Sequence, residues 1–394
     1  MIRNVILACS AIAALLAAAA VGAEPAQPEE YNDIVRQDNN NPATNVKVIA
    51  DSWDGVQVKL PGGGATANTS LFTSDTVEGV DYASKPAEYE KAMELLRAGK
   101  FVDAIKAFDE GMRRLRAGDA PQRQYFILGK IECFAALRKP DDVRKLVDEM
   151  LSAGRDNPPR LIFEAYLKLG ASYFQARDFA KAEDAYKRAV TLFDSLEAKA
   201  RSSGKGGLEK FVNRYALEAK LNRIRCMEEL KQLDGPEATG ADMAYQVFPA
   251  RAAGHADLVA RAEVGRGRCM ILRKDYAGAL RYLEGLTKKV PEAALPLVFC
   301  AMGDAYLARA SSENSDELDY YQARWYYLKV VVQYPTDRAA LARAYYGAGL
   351  CYEGLGRESD ALARKVRMFE TVIKEFSDSP EYLLASEKLG AKSN

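Results

Sequence analysis

Histidine is almost missing from this chain: 394 residues carry one, His255. A Ser-His-Asp or Cys-His nucleophile would have to be built on that single imidazole. Its setting, Ala253-Gly254-His255-Ala256-Asp257, reads instead as the start of a helix, where it sits on the surface or caps. The same scarcity excludes the common His-rich metal sites. The six cysteines include no C-x-x-C, which excludes a zinc ribbon and a thioredoxin-type motif. A surplus of one charge is also lacking, with 55 Lys and Arg against 55 Asp and Glu. Nucleic-acid affinity needs clustered cations that neutralise phosphates, so that class of partner is excluded. Beyond the first two dozen residues no apolar run looks long enough to cross a bilayer. The expectation is a chain with no catalytic residues, no metal, no cofactor and no transmembrane segment beyond its N-terminus.

The N-terminus carries an address. Arg3 is a short basic region, Val5 to Val21 is apolar, Val21-Gly22-Ala23 is small, and Glu24-Pro25 turns polar. That order is the pattern of a secretory signal peptide, 1–23, cleaved after Ala23, and it implies a periplasmic or secreted protein. Cys9 follows Ile6-Leu7-Ala8, but too few apolar residues precede it for a lipoprotein box. Residues 24–43, polar and Asn-rich at the end, have little to bury and read as a flexible linker. From 44 to 84 the pattern is β: Val46, Val48 and Ala50, then Val56, Val58 and Leu60, with Asp54-Gly55 between the two arms. Thr69 to Val80 can add two short strands, giving a small module of about four. Asp51, Asp54 and Asp75 are its main acids, and they are where an enzymatic reading would have to start.

From Lys85 to the end the period is helical, and it repeats. Residues 166–189 hold Tyr166-x2-Leu169-Gly170-x2-Tyr173, then Phe179, Ala182-x3-Tyr186 and Ala189. Ala92, Gly99, Phe101, Ala104 and Phe108 form an earlier copy, and Gly267, Tyr276, Ala279 and Pro291 a later one. Phe299-x2-Met302-Gly303-x2-Tyr306 with Ala323-x3-Tyr327 and Pro335 makes a fourth, and Tyr345-x2-Ala348-Gly349-x2-Tyr352 with Ala361 a fifth. Degraded copies fill 122–151 and 208–250, for about seven hairpins in all. Ala279 to Ala323 and Pro291 to Pro335 both span 44 residues, a period of about 34 lengthened by a polar insertion near Ser311–Asp316. An insertion at a helix–helix turn leaves the packing in phase.

This pattern resembles the tetratricopeptide repeat family, over roughly 86–394. The resemblance implies an α-solenoid that exposes a concave surface from its first helices. In that family partner contacts come from fixed positions of each repeat. Carried over by phase, these include Glu164, Phe174 and Gln175 around Gly170, then Arg261 and Arg268 around Gly267. Around Gly349 they include Arg343, Tyr346 and Glu353. Such a mixture of aromatic, apolar and Arg side chains suits an extended peptide or an amphipathic helix. The Lys/Asn carboxylate clamp of the chaperone-tail-binding subgroup is not matched here. Val332-Gln333-Tyr334-Pro335 and Lys374-Glu375-Phe376-Ser377-Asp378-Ser379-Pro380 also look like hairpin ends of bacterial envelope repeat proteins. The sequence reading is therefore an exported, non-catalytic scaffold for a protein or peptide partner, with possible envelope association. The alternative is an envelope assembly factor that binds glycan or nascent outer-membrane protein. Cys269 and Cys351 share one phase, two residues after the marker glycine, and Cys133 and Cys226 have similar settings. Equivalent positions lie about one helix layer apart, too far for disulfides, so the five cysteines, Cys300 included, suit buried apolar positions.

Overall fold

The computed structural model describes residues 32–39, 41–61, 68–152, 154, 157–234, 240–312, 316–356 and 360–390. The segment read as a signal peptide lies outside them. Five strands come first: β1 (Asp33–Gln37), β2 (Ala43–Ser52), β3 (Gly55–Lys59), β4 (Thr69–Thr73) and β5 (Val77–Asp81). All pairings are antiparallel, in the order β4-β3-β2-β1-β5. β4 and β5 lie at opposite ends of that order, yet only residues 74–76 join them. The sheet must therefore roll until its edges meet. Ser74 N–H donates to Asp54 O at 3.4 Å, extending the β3–β4 ladder, and Asp38 N–H donates to Thr76 O at 3.1 Å, extending the β1–β5 ladder, on either side of that short connection. The core of the roll is valine: Val35, Val46, Val48, Val56, Val58, Val77 and Val80, beside Tyr82.

Two expectations are corrected here. The linker reading of 24–43 fails over its second half, because Asp33–Gln37 is an inner strand between β2 and β5. Val35 is fully buried there, and the neighbouring acid that made the segment look polar is structural. Asp33, 1 % exposed, accepts the Val48 and Ala83 N–H groups, each at 2.9 Å, and so ties β1 to β2 and to the segment that follows β5. The module consequently has five strands instead of four. Asp54-Gly55 does form the β2–β3 turn, with Asp54 accepting from the Ser52 hydroxyl at 2.8 Å.

Fifteen helices follow among the described residues. Seven hairpins are built by α1 (Ala87–Arg97) with α2 (Phe101–Arg114), α3 (Arg123–Ala136) with α4 (Pro140–Ser152), and α5 (Ile162–Gln175) with α6 (Phe179–Ser202). Then come α7 (Gly206–Glu229) with α8 (Ala241–Arg251), and α9 (Ala256–Leu272) with α10 (Tyr276–Leu286). The last are α11 (Leu295–Ala310) with α12 (Glu317–Gln333), and α13 (Arg338–Gly354) with α14 (Ala361–Glu375). α15 (Glu381–Lys388) caps the end. Each first helix touches the first helix of the next hairpin, whereas second helices do so weakly or not at all. First helices thus line the inside of the array, which is what the repeat pattern implies.

The marker residues act as the pattern requires. A Cβ added to Gly170 would stand 2.4 Å from the Tyr186 ring, and one on Gly303 would stand 2.8 Å from Tyr327. Helix crossings at these points need glycine. All five cysteines among the described residues are free and buried. His255 precedes α9, but its side chain makes no capping hydrogen bond. One residue run does pass the length and composition test for a membrane span, Glu292–Ala310, against the expectation that none would. It is α11 with the turn before it, 56 % buried in the array, and its apolar side chains pack on α9, α12 and α13.

Ion pairs run from hairpin to hairpin along the array. Arg214 donates two hydrogen bonds, at 2.8 and 2.6 Å, to the Asp257 carboxylate at the start of α9. These bonds hold the Asp257 pKa down at about 2, below the unfolded value of about 3.9. A depressed carboxylate stabilises above its unfolded pKa and loses that contribution as pH falls through the folded one. The pair is more than half exposed on the Asp257 side, so water and salt screen it to about 0.3–1 kcal/mol. The urea midpoint of Asp257→Asn should therefore lie below that of the parent at pH 6, and the two should converge near pH 2.

Candidate functional site

The inner faces of α5, α7, α9, α11 and α13 surround a cavity of about 640 Å³. Its wall alternates apolar residues (Phe174, Leu221, Val264, Ile271) with arginines (Arg225, Arg261, Arg268, Arg343). The loop Phe376–Glu381, between α14 and α15, closes one side. A smaller cavity of about 480 Å³ adjoins it and shares Ile271, Asp304 and Arg343.

Five of the eight residues singled out in the sequence stand on the main wall: Phe174, Gln175, Arg261, Arg268 and Arg343. Glu353 lines the smaller cavity and is paired with Lys388 at 2.5 Å and Lys365 at 3.6 Å. Glu164 is off both walls, in a half-buried pair with Lys168 at 3.4 Å. Tyr346 belongs to the core: it is 7 % exposed and its ring centroid lies 5.6 Å from that of Phe369. Its register position is the expected one, but α15 covers that part of α13 and turns the surface inward.

The wall arginines are held by a motif that the sequence reading missed. Arg268 of α9 donates to both oxygens of Glu228, at 2.6 and 3.0 Å, and the Tyr245 hydroxyl donates to the same carboxylate at 2.7 Å. Arg343 of α13 reaches Asp304 Oδ1 at 3.0 Å, which also accepts the Tyr327 hydroxyl at 2.6 Å. In both cases the acid comes from a first helix, the tyrosine from the second helix of the same hairpin, and the arginine from the next hairpin. Burial, then the neighbouring carboxylate, pushes both phenol pKa values far up, so these hydroxyls remain donors at any ordinary pH. An acid directly after the marker glycine, Gly303-Asp304, was the available signal for the second triad. Arg261 is held differently, by Glu218 at 3.3 Å and by the Asn222 amide oxygen at 2.8 Å.

The array also closes on itself. Arg138, in the α3–α4 turn with a φ of 55°, donates to Ser377 O at 2.6 Å and Ser379 O at 2.9 Å, and to Gln175 O at 3.0 Å. Its guanidinium lies 4.5 Å from the Tyr382 ring centroid. One side chain from the second hairpin thus clasps the loop that follows the seventh and walls the cavity. Hydrogen bonds from a charged group contribute about 1.5–3 kcal/mol each when shielded, and less at this partly exposed position. Arg138→Ala should cost about 1–2 kcal/mol in total, raise the radius of gyration in solution scattering, and expose 376–390 to limited proteolysis.

Among known proteins, the tetratricopeptide repeat model matches residues 164–195, the α5–α6 hairpin. A comparison with curated proteins found no match. Among solved structures, the crystal structure of the P58(IPK) TPR domain is similar at 12 % identity, over 78 % of this chain and 99 % of that one, with a TM-score of 0.21. At that score it adds nothing to the fold described above. The chain carries a tetratricopeptide repeat at 164–195, set within an array of seven helical hairpins behind a rolled β module.

Proposed function

We propose that this chain is an exported scaffold that holds a short extended segment of a partner protein in its central cavity. The observation that carries the reading is the wall itself, in which first-helix residues from five successive hairpins converge on one space. Its volume of about 640 Å³ lies within the range of roughly 300–1,000 Å³ typical of ligand pockets. A few extended residues are its proposed occupant, and the amphipathic helix also expected from the sequence is the alternative. The phase of the repeats and the tetratricopeptide match support a binding role over chemistry. Asp51 and Asp54, two of the acids on which a catalytic reading would rest, are engaged in an ion pair and a turn. Export rests on the pattern of residues 1–23, and its test is N-terminal sequencing of the mature protein, expected to begin at Glu24.

A photo-crosslinking residue at Leu272, on the cavity wall, tests the binding site against one at Val332 on α12, away from the cavity wall. The expected result is a discrete partner peptide trapped from Leu272 in the native extract and identified by mass spectrometry, with none from Val332. Equal trapping at both positions would sink the proposal.

A further inference from the structure

The two triads expose a third that is incomplete. Tyr327 and Tyr186 occupy the same place in their repeats, as the last residue of Ala323-x3-Tyr327 and Ala182-x3-Tyr186. Each ring packs on the marker glycine of its hairpin, Gly303 and Gly170. After Gly303 comes Asp304, which binds the tyrosine hydroxyl and the arginine of the next hairpin. After Gly170 comes Ala171. Tyr186 is 3 % exposed, lines the cavity, and its hydroxyl has no hydrogen-bond partner among the described residues. The next hairpin supplies Arg225, also on the wall, with no carboxylate partner among the described residues. Its guanidinium lies 4.4 Å from the Phe174 ring centroid, which holds its plane while leaving its N–H donors for another group.

A buried hydroxyl and a stacked guanidinium thus face a cavity at the position where the Gly303 repeat places the Asp304 carboxylate. We propose that the bound partner supplies it: Tyr186 and Arg225 form a site for one carboxylate of the ligand, either an acidic side chain or a chain terminus. A guanidinium presents paired N–H donors that match the two oxygens of a carboxylate. Arg225 and Arg261 are the cations whose charge is felt at Tyr186, and Glu218, the partner of Arg261, offsets part of that field. The inference rests on the peptide-binding reading above and specifies what that peptide must carry.

The test uses resin-bound random pentapeptides in three matched forms. One has an internal Asp or Glu and an amidated end, one lacks acids but has a free C-terminus, and one lacks acids and is amidated. The parent protein should retain the first or the second form at least about tenfold over the third, the scale of a charge-assisted hydrogen-bonded pair, and which of them it retains identifies the source of the carboxylate. Ala171→Asp puts the protein's own carboxylate where Asp304 stands in the other repeat, and should abolish that preference. Arg225→Gln should abolish it too, and Tyr186→Phe, which removes one oxygen, should weaken it with circular dichroism unchanged. Equal retention of all three forms, or a preference untouched by Ala171→Asp, overturns the carboxylate site while leaving the peptide reading standing. No retention of any form overturns both.

Discussion

Replacing Asp51 by alanine is expected to detach the β module from the helical array, at a cost of about 3–5 kcal/mol. The Asp51 side chain is fully buried and lies 2.9 Å from the Arg160 guanidinium, itself 9 % exposed. Its second oxygen accepts the Tyr82 hydroxyl from beyond β5 and the Tyr125 hydroxyl from α3, at 3.2 and 3.0 Å. Arg160 donates to that same Tyr125 oxygen at 2.7 Å. The Asp51 carbonyl accepts from Gln124, whose own carbonyl accepts the Leu161 N–H. Without the carboxylate, a charged guanidinium remains buried with only a phenol oxygen for company, and that uncompensated charge is the main cost. Replacing both partners with apolar residues of similar size should cost far less than the single change. Trp53, next to Ser52 and Asp54, is 8 % exposed and packs with Ile127, Ile131 and Phe163, so it reports this junction directly. In a Trp325→Phe background, a red shift of its fluorescence at lower urea in Asp51→Ala is the expected signal. An unchanged midpoint would mean that the apolar contacts of Trp53 and the backbone hydrogen bonds at Asp51 and Trp53 hold the junction without the carboxylate.

The helical array was legible in the sequence because its signals are local and repeated. Gly170, Ala182 and Tyr186 announce a hairpin through close packing between neighbours in the chain, and the same contacts recur at Gly303, Ala323 and Tyr327. β1 was not legible, since a five-residue strand containing Asp33 and Arg36 has too little alternation to stand out. Its stability comes from Val48 and Ala83, which are 15 and 50 residues away. The Asp51–Arg160 pair spans 109 positions and leaves no trace in either neighbourhood. The same holds for the clasp from Arg138 to Ser377 and Ser379. Repeat phase put Phe174, Gln175, Arg261, Arg268 and Arg343 on one inner surface. It could not show that α15 would bury Tyr346, or that most of the wall arginines would arrive already engaged.

That engagement makes Asp304 a sensitive position on the cavity wall. Asp304→Ala should lower stability by about 2–4 kcal/mol, a little below the fully buried case because the Arg343 side chain keeps 40 % of its exposure. The loss falls on two groups together: the Tyr327 hydroxyl, in a ring that is fully buried, and the Arg343 guanidinium. Glu381, 4.0 Å from Arg343, is too far to replace the hydrogen bonds. Asp304→Asn retains an acceptor oxygen without the charge and should lose roughly half as much. The truncated variant would also reproduce beside Tyr327 the arrangement already present beside Tyr186, with a hydroxyl and a guanidinium facing a gap. A small carboxylate should enter that gap. Acetate at constant ionic strength is therefore expected to raise the melting temperature of Asp304→Ala progressively while leaving that of Asp304→Asn almost unmoved. If chloride at the same concentration restores Asp304→Ala equally well, the site reads charge alone and the paired geometry of tyrosine and arginine contributes no selectivity for carboxylate.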